Sequence, residues 1–471
     1  MYKAYVTYVT NIRPAANADR LNACEVFGNT TIIDKTITED TLVLYLPSDG
    51  QISVEFGEKN NLFRRKDDAG NNVGGFIDPV KRNITAIRLR GNRSDGLVLP
   101  ISCLNYCYAH GDASIELRVG DVIEGTVNGH EICCKYIPRS NTRQGTVSEG
   151  NRTRKKKVPT APLFKEHADT EQLAYNLGAF RVGDEIEISL KLHGTSQRTG
   201  YLPVLKGYKR TLLDRILRRE GTPIYDYGYV SGTRRTVLEN YDGGFYGNNE
   251  FREQHSKIFE GKLWKGETVY YEVVGFTTSG QPIMGDASNK KMNDKEFIKQ
   301  YGETTRFSYG CRPDGGTGFD PALYDNNTGE LVMMPPQSDI YVYRMTMTNP
   351  DGEVVEYTPD FMRYRCEQMA VKTVPVFAKA ILNEESRFVV NGDSTEPGDL
   401  GAYVMKMAEL FYDGPDPVGK THVREGVVVR IINRPKFAAY KHKNFSFKVL
   451  EGIAKVEAEA PDMEEAQEVS E

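Results

Sequence analysis

The chain has 471 residues, 39% hydrophobic and 27% charged, an ordinary globular composition with room for two or three cores. No uninterrupted apolar run is long enough to span a bilayer, and seven scattered cysteines (24, 103, 107, 133, 134, 311 and 366) fit a reduced chain better than a disulfide framework or a zinc site. The formal charge of −5 is uneven: residues 451–471 carry −7 and residues 1–450 sum to +2, so the total does not argue against a nucleic-acid partner.

The opening MYKAYVTYVTNI reads as a strand and not as a charged leader with an apolar core, so a cytoplasmic location is expected. Over residues 1–138 the short runs YKAYVTYV, NTTIID, DTLVLYLP, NITAIRLR and DGLVLPI, punctuated by Gly, Asn and Asp, predict a small all-β barrel or sandwich. Within it, RLRGNRSDGLVLP (88–100) is either a basic hairpin on a barrel rim or a surface for a nucleic-acid backbone. Residues 139–162 lack an apolar period and contain the run Arg154 to Lys157, which reads as a basic linker that is either solvated or in contact with phosphate. From 163 to 450 the pattern becomes a strand-dominated α+β domain. Helices are expected in HADTEQLAYNLGAF, in YKRTLLDRILRRE and near 360–384; strands are expected at 184–192, 226–231, 268–276, 339–346 and 424–432. Residues 277–338, rich in Gly, Asp, Asn and Pro, read as a long insertion, and 451–471 as an acidic tail, frayed or disordered.

In DEIEISLKLHG the alternation places Ile186, Ile188, Leu190 and Leu192 on one strand face and Glu185, Glu187, Ser189 and Lys191 on the other. Further charges interrupt apolar strands downstream. Glu272 is the sole charge in VYYEVVGF, Glu425 and Gly426 open the valine run of VREGVVVRI, and in AAYKHKNFSFK Lys441 and Lys443, two apart, face the same way on an extended chain. Each taken alone is an edge charge of the kind many sheets carry.

Taken in order, a lysine in K-x-x-G, a strand glutamate, an E-G before an apolar strand and a K-x-K resemble the covalent nucleotidyltransferase superfamily. KLHG, with histidine in the third position, resembles its RNA ligases more than the K-x-D-G of DNA ligases. DIYVYRM is similar to their adenine-stacking strand, which puts Tyr343 on the base. YGYVSGTRRT resembles their arginine-bearing segment, with Arg234 and Arg235 both open as the contact. Residues 1–110, at NADRLNACEVFGNTTII and RLRGNRSDGLVLP, resemble the OB-type domain of the fifth, nick-sealing RNA ligase family. Only the acidic tail follows Lys448, so the further OB domain of capping enzymes and DNA ligases is not expected.

The resemblance implies an α+β fold: an N-terminal OB-type β-barrel followed by a nucleotidyltransferase domain built on antiparallel sheets. It implies an ATP-dependent RNA ligase, with Mg²⁺ or Mn²⁺ as its metal cofactor, that joins 3′-hydroxyl and 5′-phosphate ends or nicks. Lys191 is then the nucleophile that carries AMP, Glu272 and Glu425 hold the metal, and Lys441 and Lys443 hold phosphates. His193 orients pyrophosphate, and Leu190, Leu192, Gly194 and Arg198 surround the nucleotide or the RNA end. The implied partners are ATP and nicked duplex RNA or an RNA–DNA hybrid, with no membrane and a monomeric chain. The alternatives are a GTP-using capping-type guanylyltransferase and a non-catalytic nucleic-acid-binding protein with a ligase-like core.

The chemistry sets its own condition. A lysine near its reference pKa of about 10.4 is almost wholly protonated at neutral pH. Facing glutamates hold it so, and a divalent cation that cancels their charge relieves this, so metal is expected to be obligatory.

Overall fold

A computed structural model describes residues 2–15, 21–48, 50–65, 75–89, 92–136, 159–167, 170–212, 214, 217, 221–238, 241, 245–314, 335–388, 399–451 and 454–455. Most of the basic linker, the centre of the 277–338 insertion and nearly all of the acidic tail lie outside the described residues. Among those described, no helix is long and apolar enough to cross a membrane.

The chain divides into two compact units. The first comprises Met1–Arg139, Ser288–Glu303 and Phe445–Asp462. Ala4–Thr7, Val43–Leu46 and Leu97–Pro100 fall in expected runs and, with Val122–Ile123, which was not expected, form an antiparallel sheet over a core containing Val6, Leu44, Phe56, Leu104 and Ile132. A separate three-stranded sheet holds Thr10–Pro14, Leu21–Val26 and Asn29–Asp34. The expected barrel is not closed by the described strands, which are two to six residues long and fall into small open sheets. After Pro100 the chain leaves its sheet in a 3₁₀ turn, Ile101–Cys107, instead of continuing into another strand. Late residues return to this unit. Lys448 reaches the buried carboxylate of Asp95 at 2.7 Å, and Ala454–Lys455 pairs in parallel with Ala86–Leu89.

The second unit comprises Ser140–Ala287, Thr304–Asn444 and Met463–Glu471, and is built on two sheets. One has the strand order Glu171–Gln172, Ala438–Lys443, Gly426–Ile431, Glu185–Lys191, Val376–Ile381. The other runs Thr222–Gly232, Thr195–Lys209, Glu267–Gly275, Ser338–Thr348, Val354–Glu356. All five expected strands of this unit are present within a few residues.

The 15-residue strand Thr195–Lys209 was not expected. Gly200, Pro203 and Gly207 break its pattern, and the structure tolerates them where the ladder is incomplete. Beyond Gly200 the strand pairs with one strand only, so no second strand requires the N–H that Pro203 lacks, and the register shifts between Leu205 and Gly207.

Three helix expectations are corrected. HADTEQLAYNLGAF forms the short strand Glu171–Gln172 and two 3₁₀ turns, Leu173–Tyr175 and Leu177–Ala179, because the Asn176 amide donates to the Gln172 carbonyl at 2.7 Å and competes with a helix. In YKRTLLDRILRRE only the start is corrected: Tyr208 and Lys209 continue the long strand, Leu212 and Asp214 are helical, and most of the remainder lies outside the described residues. The helix near 360 spans only Pro359–Met369. Thr358 caps its start with proline in the first turn, Ala370 ends it in the left-handed region at φ 57°, and Val376–Ile381 is a strand.

A buried ion pair ties this helix to the second sheet. Glu267, with no solvent exposure, accepts from Arg365 at 2.9 and 2.8 Å, from the Tyr357 hydroxyl at 3.0 Å and from the Trp264 amide at 2.8 Å. Removing the cation strands a buried carboxylate, so Arg365→Ala is expected to cost about 3–5 kcal/mol in urea unfolding. A midpoint equal to that of the unsubstituted chain would refute this.

Candidate active site

Register and the two-residue period of a strand build the first wall of a cleft. Across the first sheet, Glu187 lies opposite Arg430 and Arg430 opposite Ala439. Ser189, Val428 and Lys441 form the next row, and Lys191, Gly426 and Lys443 the last. Glu187, Ser189, Lys191, Val428, Arg430, Ala439 and Lys441 all line the cleft, while Val427, Val429 and Ile431 are buried on the opposite face. The expected polar face of the Lys191 strand is therefore the cleft face.

Glu425 enters just before the last row. It has no solvent exposure, and one of its carboxylate oxygens lies 2.7 Å from Lys191 Nζ and 3.1 Å from Lys443 Nζ. Both ammonium groups meet the same oxygen, and the other oxygen is buried without a hydrogen bond. Gly426 makes this possible. Its φ is 148°, and a Cβ there would lie 2.1 Å from the His442 carbonyl oxygen and 2.8 Å from Lys443 Cα. The glycine of the E-G pair is thus required by the close approach of the strand that carries Lys443.

The second sheet supplies the facing wall. Glu272, buried on Glu267–Gly275, is paired with Ser196, whose hydroxyl lies 2.9 Å from the Tyr343 hydroxyl. Glu272, Tyr343, Arg234 and His167 line the cleft, which encloses about 930 Å³ including its open mouth. His167 lies 5.4 Å from the Tyr343 ring and 5.8 Å from Phe437, and its Nδ1 accepts from Arg344 at 2.8 Å. Burial, and then the cations of Arg344, Arg234 and Arg198, hold His167 neutral well below the ordinary histidine range.

Of the expected site residues, Lys191, Leu190, Leu192, Glu272, Arg234, Tyr343 and Lys441 line the cleft, and Glu425 and Lys443 join at Lys191. Between the two arginines left open, Arg234 lines the cleft; Arg235 is exposed outside its lining.

Three expectations change. His193 does not share the Lys191 strand, which ends at Lys191; it is buried outside the cleft lining, its ring edge-on to Phe307 at 4.7 Å, with a ring nitrogen within 4.8 Å of a Glu425 oxygen. Gly194 is demanded by protein packing: a Cβ would lie 2.4 Å from the Val273 carbonyl and 2.9 Å from Glu272 Cγ. Arg198 is buried with its guanidinium 4.3 Å over Phe164 and donates to the Arg234 carbonyl at 2.8 Å, so it supports the Arg234 segment and lies outside the cleft lining.

Sequence reasoning missed Arg363, Arg430, His167 and Phe437, all in the lining. Arg363 clasps Glu187 through both nitrogens at 3.2 and 2.8 Å. Arg430 alone had a signal, a charge at the cleft-facing position of VREGVVVRI.

No protein-family model matches the chain, and no curated protein matches it in sequence. Solved structures of an RNA ligase from Naegleria gruberi are similar to it. The form with pyrophosphate has a TM-score of 0.53 at 16% identity, over 94% of this chain and 97% of that one. A variant with ATP and manganese has a TM-score of 0.51 at 15% identity over the same shares. This chain therefore has the fold of those ligases, a mixed α/β architecture with antiparallel sheets.

Two outcomes follow from the geometry. Gly426→Ala is expected to lower unfolding free energy by about 1–3 kcal/mol through its positive φ and the clash with His442; an unchanged melting temperature would contradict this. The His167 shift makes the folded state bind fewer protons than the unfolded chain below pH 6.5. Its contribution is full above that value and is lost as pH falls below it, so His167→Gln should flatten the acid slope of stability; an unchanged slope would contradict the assignment.

Proposed function

We propose that this chain is an ATP-dependent RNA ligase that seals 3′-hydroxyl and 5′-phosphate ends through a lysyl-AMP intermediate. The observation that carries this reading is the convergence of Lys191, Glu425 and Lys443 beside a cleft lined also by Glu272, Tyr343, Arg234 and Lys441. The shared fold with an RNA ligase that binds ATP and manganese supports it.

In the first step Lys191 Nζ, once deprotonated, attacks the α-phosphorus of ATP. An N–P bond forms, the P–O bond to pyrophosphate breaks, and AMP remains on the lysine. A 5′-phosphate oxygen of the RNA then attacks the same phosphorus and releases the lysine. Finally the neighbouring 3′-hydroxyl attacks the activated 5′-phosphorus and AMP leaves. Chemistry of this kind rests on in-line positioning and charge neutralisation. Lys441, Lys443 and Arg234 supply positive charge for phosphate oxygens, and Tyr343 and His167 offer aromatic surface to the base.

Glu272 and Glu425 fit a hard divalent cation, Mg²⁺ or Mn²⁺. Both are oxygen donors, and the second Glu425 oxygen is buried without a hydrogen bond. When bound, such an ion neutralises carboxylate and phosphate charge. The N-terminal unit, with its resemblance to an OB-type domain, is read as the RNA-binding module, and nicked duplexes with RNA on the 3′-hydroxyl side as the acceptors.

The test is sealing of a nicked RNA duplex with ATP and Mn²⁺. Lys191→Ala should abolish sealing of a 5′-phosphate nick yet still join a strand supplied already adenylylated, because the last step does not use the lysine as nucleophile. No sealing by the unsubstituted chain on RNA or hybrid nicks would overturn the acceptor assignment, and sealing by Lys191→Ala from ATP would overturn the mechanism.

A further inference from the structure

The 277–338 insertion matched no motif, yet part of it packs directly behind the site. Cys311 N–H donates to the Ser308 carbonyl at 2.8 Å, and the two residues between have positive φ, Tyr309 at 50° and Gly310 at 79°. Two central residues of that kind are what a type I′ turn demands, and its first position ordinarily goes to Asn, Asp or Gly. A buried tyrosine there contradicts the local preference, so its reason must be non-local.

The side chain's destination supplies that reason. Tyr309 Oη accepts the backbone N–H of His193 at 2.9 Å, two residues past Lys191, where the chain has left its strand. The same turn touches the other two motif segments. Tyr309 and Phe307 pack edge-on against His422 at 4.8 and 5.1 Å. His422 closes the loop before Glu425, in which Asp416 accepts the amides of Val418 and Gly419 at 2.8 Å each. Cys311 Sγ lies 2.8 Å from where a Cβ on Gly275 would be, and Gly275 ends the strand that carries Glu272.

We infer that Tyr309 is a positioning residue for the nucleophile: its hydroxyl anchors the Lys191–His193 turn to the loop before Glu425 and to the end of the Glu272 strand. This rests on the ligase reading. Tyr309 does not touch the reacting atoms. It fixes where the chain leaves the strand, and so the line along which Lys191 meets the α-phosphorus. Burial, and then the carboxylates of Asp416, Glu425 and Glu272, raise the phenol well above its ordinary range, so the hydroxyl stays neutral while it accepts the amide.

Tyr309→Phe removes the hydroxyl and keeps the ring. Phe307→Leu thins the same cluster without touching the His193 amide. Lysyl-adenylate formation is followed by rapid quench with labelled ATP and Mn²⁺, and joining is followed separately with a pre-adenylylated strand. Tyr309→Phe is expected to slow adenylate formation at saturating ATP by about tenfold to a hundredfold, with KM for ATP and joining of the pre-adenylylated strand within about twofold of normal. Phe307→Leu should lose less. The inference is overturned if Tyr309→Phe forms adenylate at the normal rate, if both reactions fall together, or if Phe307→Leu gives the same selective loss. An unsubstituted chain that takes up no adenylate refutes the ligase reading itself, a result distinct from an active chain indifferent to Tyr309.

Discussion

One carboxylate organises the site. Glu425 has no access to water, and its oxygen is shared by two ammonium groups at 2.7 and 3.1 Å. Burying such a group costs several kcal/mol unless its charge is matched, and here Lys191 and Lys443 match it. On the proposed ligase reading, this contact is the one Lys191 must leave before its amine can attack a phosphorus.

The backbone around Glu425 is shaped by close approaches. Gly426 lets the Lys443 strand pass within van der Waals distance, and Gly194 does the same where the chain after Lys191 crosses the Glu272 strand. The K-x-x-G and E-G spellings thus share one physical reason, two strands meeting at a point where any side chain would intrude. Around them, other buried acids are committed to arginines: Glu187 to Arg363, Glu356 to Arg344 and Glu267 to Arg365. These pairs join elements of the walls, while the tyrosine turn of the insertion holds the chain just past the Lys191 strand.

The strand of Lys191 was legible because four apolar residues alternate with polar ones over a half-buried surface, and the strands of Glu272, Tyr343 and Glu425 because each is an apolar run with a charge or aromatic out of place. Thr195–Lys209 was not, since Gly200, Pro203 and Gly207 disguise a strand whose far half has one neighbour. The misread helices failed where side-chain bonds or caps overrode a helical spacing, as at Asn176 and Ala370. Arg363, His167 and Tyr309 reach the site from a helix, a loop and a turn, and only tertiary structure brings them to the lysine.

The account stands on Lys191, out of the three lysines of the candidate site, as the nucleophile. The most direct measurement is peptide mapping by tandem mass spectrometry after incubation with ATP and Mn²⁺. One adenylate on Lys191, with Lys441 and Lys443 unmodified, is the predicted result. Adenylate on either of the other two lysines, or on none under any divalent metal in a chain not already adenylylated when purified, would contradict it.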